Sequence, residues 1–340
     1  MPRLAATLLL SAHVLLQGCG TPADDAGEFK VVGSSPPGSP WSQQWQRFEG
    51  ALAADREAGL RPELFVQAQL GDPERTLQAL RRGRVQLGGF PLSAAASLVP
   101  EVALLQSPYL FRSEREVDHV VDGYLQGPFN QLFESQGVTV LRWTEAGWNH
   151  LFATSTVVDP RDLAGMPVRA QPTPASRRLF AELGADVRPL PYSELLSGLQ
   201  TGLVRGGDGH LVMILAGGIS KEARHLTLTA HAFEVGVILA NTDWWRSLSG
   251  RQRDAVLTAL GPRQQLREEV AAFSARLLAE AEQEGRVQAH RPAPVELDAW
   301  RGAMAGVRAR LVEEIGGEAR RIDGLIEDGR RDFATRNPQG

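Results

Sequence analysis

FKVVGSSPPGSPWSQQWQRFEGALAADREAGLRPELFVQ, residues 29–67, is the stretch that decides the fold class. Phe29 to Gly33 is a short apolar run closed by Gly, Ser and Pro, the pattern of a buried strand ending in a turn. Trp41, Trp45, Phe48 and Leu52 then recur three and four apart, so this segment is a helix burying one face. Glu63 to Gln67 reads as the next strand. Strand, helix, strand at this spacing predicts a parallel or mixed sheet covered by helices, an α/β fold.

The alternation continues outward. Asp72-Pro73 opens another helix, with Asp suited to the N-cap and Pro to the first turn. Val85–Phe90, Val138–Trp143, His150–Ala153, Met166–Gln171, Leu226–Thr229 and Val235–Ala240 read as strands. Thr173-Pro174 and Ser193 start further helices. The last hundred residues carry helical stripes instead: Leu266, Val270, Phe273, Leu277 and Ala281, then Leu297, Trp300, Met304, Val307, Leu311 and Ile315. These read as packing faces.

The chain has 340 residues, enough for two lobes with separate cores. Its net charge of −4 speaks against a nucleic-acid partner. Arg3 and the apolar run Leu4–Leu16 read as an export signal, too short to span a bilayer, which takes about 20 residues. Leu16-Gln17-Gly18-Cys19 resembles a bacterial lipobox. Cys19 is the only cysteine, so it forms no internal disulfide. The expectation is a signal peptide over 1–19, lipidation and membrane attachment through Cys19, and a polar tether over 20–28.

Seven blocks then occur in order. They are Pro37-Gly38-Ser39-Pro40-Trp41; Gln69-Leu70-Gly71; Val99-Pro100-Glu101 with Pro108-Tyr109-Leu110-Phe111; Trp143-Thr144-Glu145-Ala146-Gly147-Trp148; Asp162 to Arg169; Leu183-Gly184-Ala185 with Pro191-Tyr192-Ser193-Glu194-Leu195 and Leu199-Gln200-Thr201-Gly202; and Leu226 to His231, followed by Asn241 and Trp244-Trp245. Their order and spacing over residues 29–330 resemble the extracytoplasmic receptor of tripartite ATP-independent periplasmic (TRAP) transporters, dicarboxylate-receptor type. The resemblance implies a two-lobe periplasmic-binding-protein-like fold with a hinge, a ligand cleft between the lobes, and a long bridging C-terminal helix, placed here from after Trp244 through Leu278. Lobe I is expected to hold 29–146 and 235–272, and lobe II 147–234 and 273–335. The implied function is capture of a small organic ligand, an organic acid, for a membrane permease driven by an ion gradient, with no cofactor and no metal.

Arg169 aligns with the family arginine that grips a carboxylate, and a guanidinium suits that role as a rigid, permanently charged fork. Two departures weaken the expected anion site: Asn149 stands where the family often has arginine, which removes a positive charge, and Gly209 where it has asparagine, which leaves only backbone to bind. Asp208 keeps the acidic position and is expected either to orient Arg169 or to neutralise it. Tyr192 matches an aromatic that packs on the ligand, and Trp148 is a candidate apolar wall. Ser34, Ser35 and Phe90 end strands, where ligands of open α/β sheets bind.

An enzyme is the competing class. The chain has no Gly-x-Ser-x-Gly, no P-loop and no His-Glu-x-x-His, and Gly206-Gly207-Asp208-Gly209-His210 lacks the lysine and spacing of a phosphate loop. A sensory or accessory lipoprotein on the same scaffold is the alternative within the fold, motivated by the two departures.

Overall fold

The computed structural model describes residues 27–337. The export segment 1–19, Cys19 and most of the tether lie outside the described residues.

Among the described residues, nine strands form one sheet: β1 (Glu28–Val32), β2 (Arg61–Phe65), β3 (Leu87–Pro91), β4 (Val138–Ala153), β5 (Pro167–Ala170), β6 (Asp186–Pro189), β7 (Gly206–His210), β8 (His225–Asn241) and β9 (Gln288–His290). Their order is β2-β1-β3-β8-β4-β7-β5-β6, with β9 beside β8. A parallel wing, β2-β1-β3, joins one half of the long antiparallel pair β4–β8, and a second parallel wing, β7-β5-β6, joins the other half. Each wing buries its β-α-β helices, so the sheet is shared while the packing divides into two lobes.

The sequence reading split each of the two long strands in two. The structure instead runs them through, 16 residues in β4 and 17 in β8, and takes up the bend in register shifts at Val140/Arg142, Glu145/Gly147 and Asn149/Leu151. Gly147 sits at φ 102°, a conformation costly for any residue with a Cβ. We propose that the lobes meet at this middle shift, between residues 146 and 147 on β4 and 234 and 235 on β8.

The bridging helix also differs from its expected extent. Between Trp244 and Leu278 the chain is helical in three pieces, Thr242–Ser247, Gly250–Ala259 and Arg263–Gln283, because Ser249 and Gly261-Pro262 stop and restart it. The last piece, 21 residues and about 31 Å long, packs on Pro40–Ala54 at one end and on Leu211–Ala216 at the other, spanning both lobes. Trp300, Met304 and Val307 complete a core with Val168, Leu179 and Phe180. Leu311, Ala319, Ile322 and Ile326 instead enter the core of Val117, Phe129 and Phe133. We therefore propose that the final helix, Ala319–Arg336, belongs with lobe I, not with lobe II as residues 273–335 were first grouped.

Candidate functional site

A cleft of about 480 Å³ opens between the wings, in the range of small-molecule sites. One side brings Ser34 and Ser35 from the end of β1, Trp41 and Phe90; the other brings Arg169, Tyr192, Gly209 and His210; the floor is Thr144–Ala146, Asn149 and Glu234–Gly236 of the long strands. Seven of the nine expected ligand residues thus meet in one place: Ser34, Ser35, Phe90, Asn149, Arg169, Tyr192 and Gly209.

Arg169 is 3% exposed on β5. Its Nε donates to the Leu190 carbonyl at 3.1 Å, while Nη1 is buried with no partner. Burial lowers its pKa from the ordinary value; Asp208, then Glu74, Tyr192 and Glu234, act the other way by favouring the charge. An unpaired guanidinium nitrogen in a cleft wall is an incomplete arrangement that an anion would complete.

Two expectations need correction. Asp208 is not on the cleft wall, which Gly209 and His210 of the same strand reach; it lines a small adjoining pocket with Asn149, Gln171 and His231. Asp208 accepts from Ser176 Oγ at 3.4 Å, lies 3.5 Å from His231 Nε2, and forms no ion pair with Arg169, so it favours that charge from a distance without neutralising it by contact. Trp148 is also off the cleft wall. It alternates with Asn149 and stacks edge-on against Phe233 at 5.0 Å, beside the lobe I core. At Gly209, an added Cβ would fall 1.9 Å from Met213 Cε, so the methionine fills the space a larger residue would need.

The sequence reading missed Glu234. It is 4% exposed, lines the cleft, and accepts from Gln106 Nε2 at 3.0 and 3.3 Å and from Asn149 Nδ2 at 3.1 Å. The signal was a lone carboxylate in Ala232-Phe233-Glu234-Val235-Gly236-Val237-Ile238, where an unpaired charge is costly to bury. Asp72 was read as a helix cap. It holds that position, but its side chain makes no cap bond and instead accepts from Ser193 Oγ at 3.1 Å across the cleft mouth. Trp41 and His210 meet edge-on at 5.6 Å at the same mouth.

Burial pushes the Glu234 carboxyl up to about 7, against the lowering effect of Gln106 and Asn149. The folded protein therefore holds a proton that the unfolded chain releases above about pH 4.5, so this stabilisation is intact at low pH and is lost as pH rises through 7. Burial lowers His150 to about 3 and His210 to about 4, and these contribute with the opposite sign, present above 6.5 and lost in acid. The difference in urea-unfolding free energy between wild type and Glu234→Gln isolates the carboxyl. Between pH 4.5 and 8 it is expected to move by about 3 kcal/mol in favour of the variant as pH rises; a flat difference would mean the carboxyl is not perturbed.

Two lobes on one shared sheet enclose a cleft whose wall holds an unpaired arginine, the geometry of a small-molecule binding site. The sequence profile of bacterial extracellular solute-binding protein, family 7, matches residues 31–314, and the chain belongs to that family, the TRAP receptor family that its ordered blocks resemble. It is 24% identical over 225 residues to a solute-binding protein of Chromohalobacter salexigens, covering 66% of this chain and 67% of that one. Across the first three curated relatives the matched segments span 59% to 67% of the relative's length. A TRAP periplasmic solute-binding protein from Roseobacter denitrificans with bound β-D-glucuronate superposes with a TM-score of 0.82 at 23% identity, over 88% of this chain and 98% of that one. One from Sulfurospirillum deleyianum with bound succinate gives 0.81 at 24%, over 89% and 97%.

Proposed function

We propose that this receptor captures a small carboxylate-bearing solute in the cleft and delivers it to a TRAP-type membrane permease. The observation that carries the reading is Arg169 Nη1, buried in the cleft wall without a partner. The glucuronate and succinate held by the two similar structures support it. Ligand contacts from both walls favour the closed arrangement that Ser193–Asp72 and Trp41–His210 bridge, and the permease then distinguishes closed from open receptor.

The test is a thermal-shift screen of the mature chain against small carboxylic acids. A ligand at 100 times its Kd stabilises the fold by about 2.7 kcal/mol. The shift should vanish in Arg169→Met; the same shift in that variant would reject the role of Arg169.

The finer localisation is a lipid anchor on Cys19, outside the cytoplasm. The lipobox-like Leu16 to Cys19 and the lack of any other cysteine support it. The mature N-terminal peptide is expected to carry a diacylglyceryl mass on Cys19; an unmodified Cys19 in membrane-extracted protein would exclude the anchor.

A further inference from the structure

The charges on the cleft wall are unequal. Arg169 is the one Lys or Arg among the lining residues, while Asp72, Glu74, Glu145 and Glu234 all line it. Glu145 is matched by Arg263 and Arg267, and Asp72 is held by Ser193. Glu234 is different. It is the most deeply placed of the carboxylates without a cation, its only hydrogen-bonding side chains are the neutral amides of Gln106 and Asn149, and no ion pair reaches it among the described residues. Amide donors fix the orientation of a carboxylate but supply no counter-charge, and a buried charge without one is costly. Asn149 adds a second acceptor: its Nδ2 is used on Glu234, and its Oδ1 is buried without a donor.

Once Glu234 is ionised, a plain dicarboxylate would meet one cation and then crowd its second anion against Glu234 and Glu74, whereas an ammonium group beside Glu234 would favour that ionised form. A ligand with one anionic and one cationic end matches both parts of the wall. We propose that Glu234, oriented by Gln106 and Asn149, is a recognition site for a protonated nitrogen, so that the solute is a small zwitterion with its carboxylate on Arg169 and its ammonium on Glu234. This rests on the carboxylate reading of Arg169. Asn149 is part of the same site: an arginine at this position would pair with Glu234 and remove it.

Calorimetric titration with matched probes tests it. The nitrogen-bearing set is the L-amino acids, β-alanine, γ-aminobutyrate and glycine betaine; the matched set without nitrogen is propionate, butyrate, succinate and L-malate. At least one zwitterion is expected to bind more tightly than its nitrogen-free counterpart. Glu234→Gln should weaken that zwitterion by about 30-fold or more and tighten the plain acids, a reversal that misfolding cannot produce. Glu234→Asp, which keeps the charge on a shorter side chain, should retain part of the preference. Plain acids binding best, no zwitterion binding, or a zwitterion unaffected by Glu234→Gln would each overturn the inference. Arg169→Met separates the two readings. If acids of either set bind and depend on Arg169 but not on Glu234, the carboxylate reading stands and the zwitterion fails; if binding ignores Arg169, the carboxylate reading fails as well.

Discussion

Arg169→Met is expected to weaken carboxylate binding by about 30-fold or more and, in the same protein, to leave the ligand-free fold about as stable or more stable. The two effects have one cause. Arg169 is 3% exposed, and Nη1 finds no partner, so the empty receptor carries a desolvated cation that only a ligand can complete. Replacing a buried charge by an apolar side chain of similar length is often neutral or stabilising, by about 1–4 kcal/mol. Against this stands the lost bond from Nε to the Leu190 carbonyl, about 1–2 kcal/mol. The net change in the empty protein should therefore lie between about 1 kcal/mol downward and 3 kcal/mol upward. Removing one partner of a buried charged hydrogen-bonded pair costs the complex about 2–5 kcal/mol, which sets the loss of affinity. Urea unfolding without ligand and calorimetry with it separate the terms. A structural arginine would lower both together, the stability by more than about 1 kcal/mol, and that outcome would reject the binding role.

The sequence carried the parts of the site that depend on local pattern. Periodicity locates the short strand of Arg169 and the helix start at Tyr192, but only the family resemblance marks these two as site residues; Ser34 and Phe90 mark strand ends bounded by turn residues. What it did not carry depends on long-range pairing. β4 and β8 are continuous only because each supplies the other's hydrogen bonds through three register shifts, and a local reading sees two short strands in each case. Strand alternation governs Asn149 against Trp148, where a slip of one residue moves a side chain off the cleft. Glu234 was lost at a strand start placed at Val235, one residue too late. Its partner Gln106 is 128 residues away, a proximity that only the assembled sheet creates.

Glu145→Ala is expected to destabilise the protein by about 3–5 kcal/mol, although Glu145 also faces the cleft. Glu145 is 3% exposed and sits at the middle register shift of β4. It accepts from Arg263 Nε at 3.0 Å and is bonded by Arg267, both in the first two turns of the bridging helix. Cations at a helix N-terminus oppose the dipole, so these two arginines need carboxylates around them. Asp118, half-buried, and Asp122, exposed, also pair with them; the exposed pair is worth at most about 1 kcal/mol, and Asp118 is left as the one well-placed carboxylate for both arginines. Glu145 is the buried member, and its loss leaves two guanidinium groups facing one another at the hinge. Glu145→Gln, which keeps the shape and drops the charge, should fall between wild type and the alanine variant. The urea midpoint of each reads the result. A loss under about 1 kcal/mol in Glu145→Ala would mean that Asp118 and Asp122 satisfy the arginines alone, and that the bridging helix is held to the hinge by packing, chiefly Leu266 and Val270, without the ionic contact.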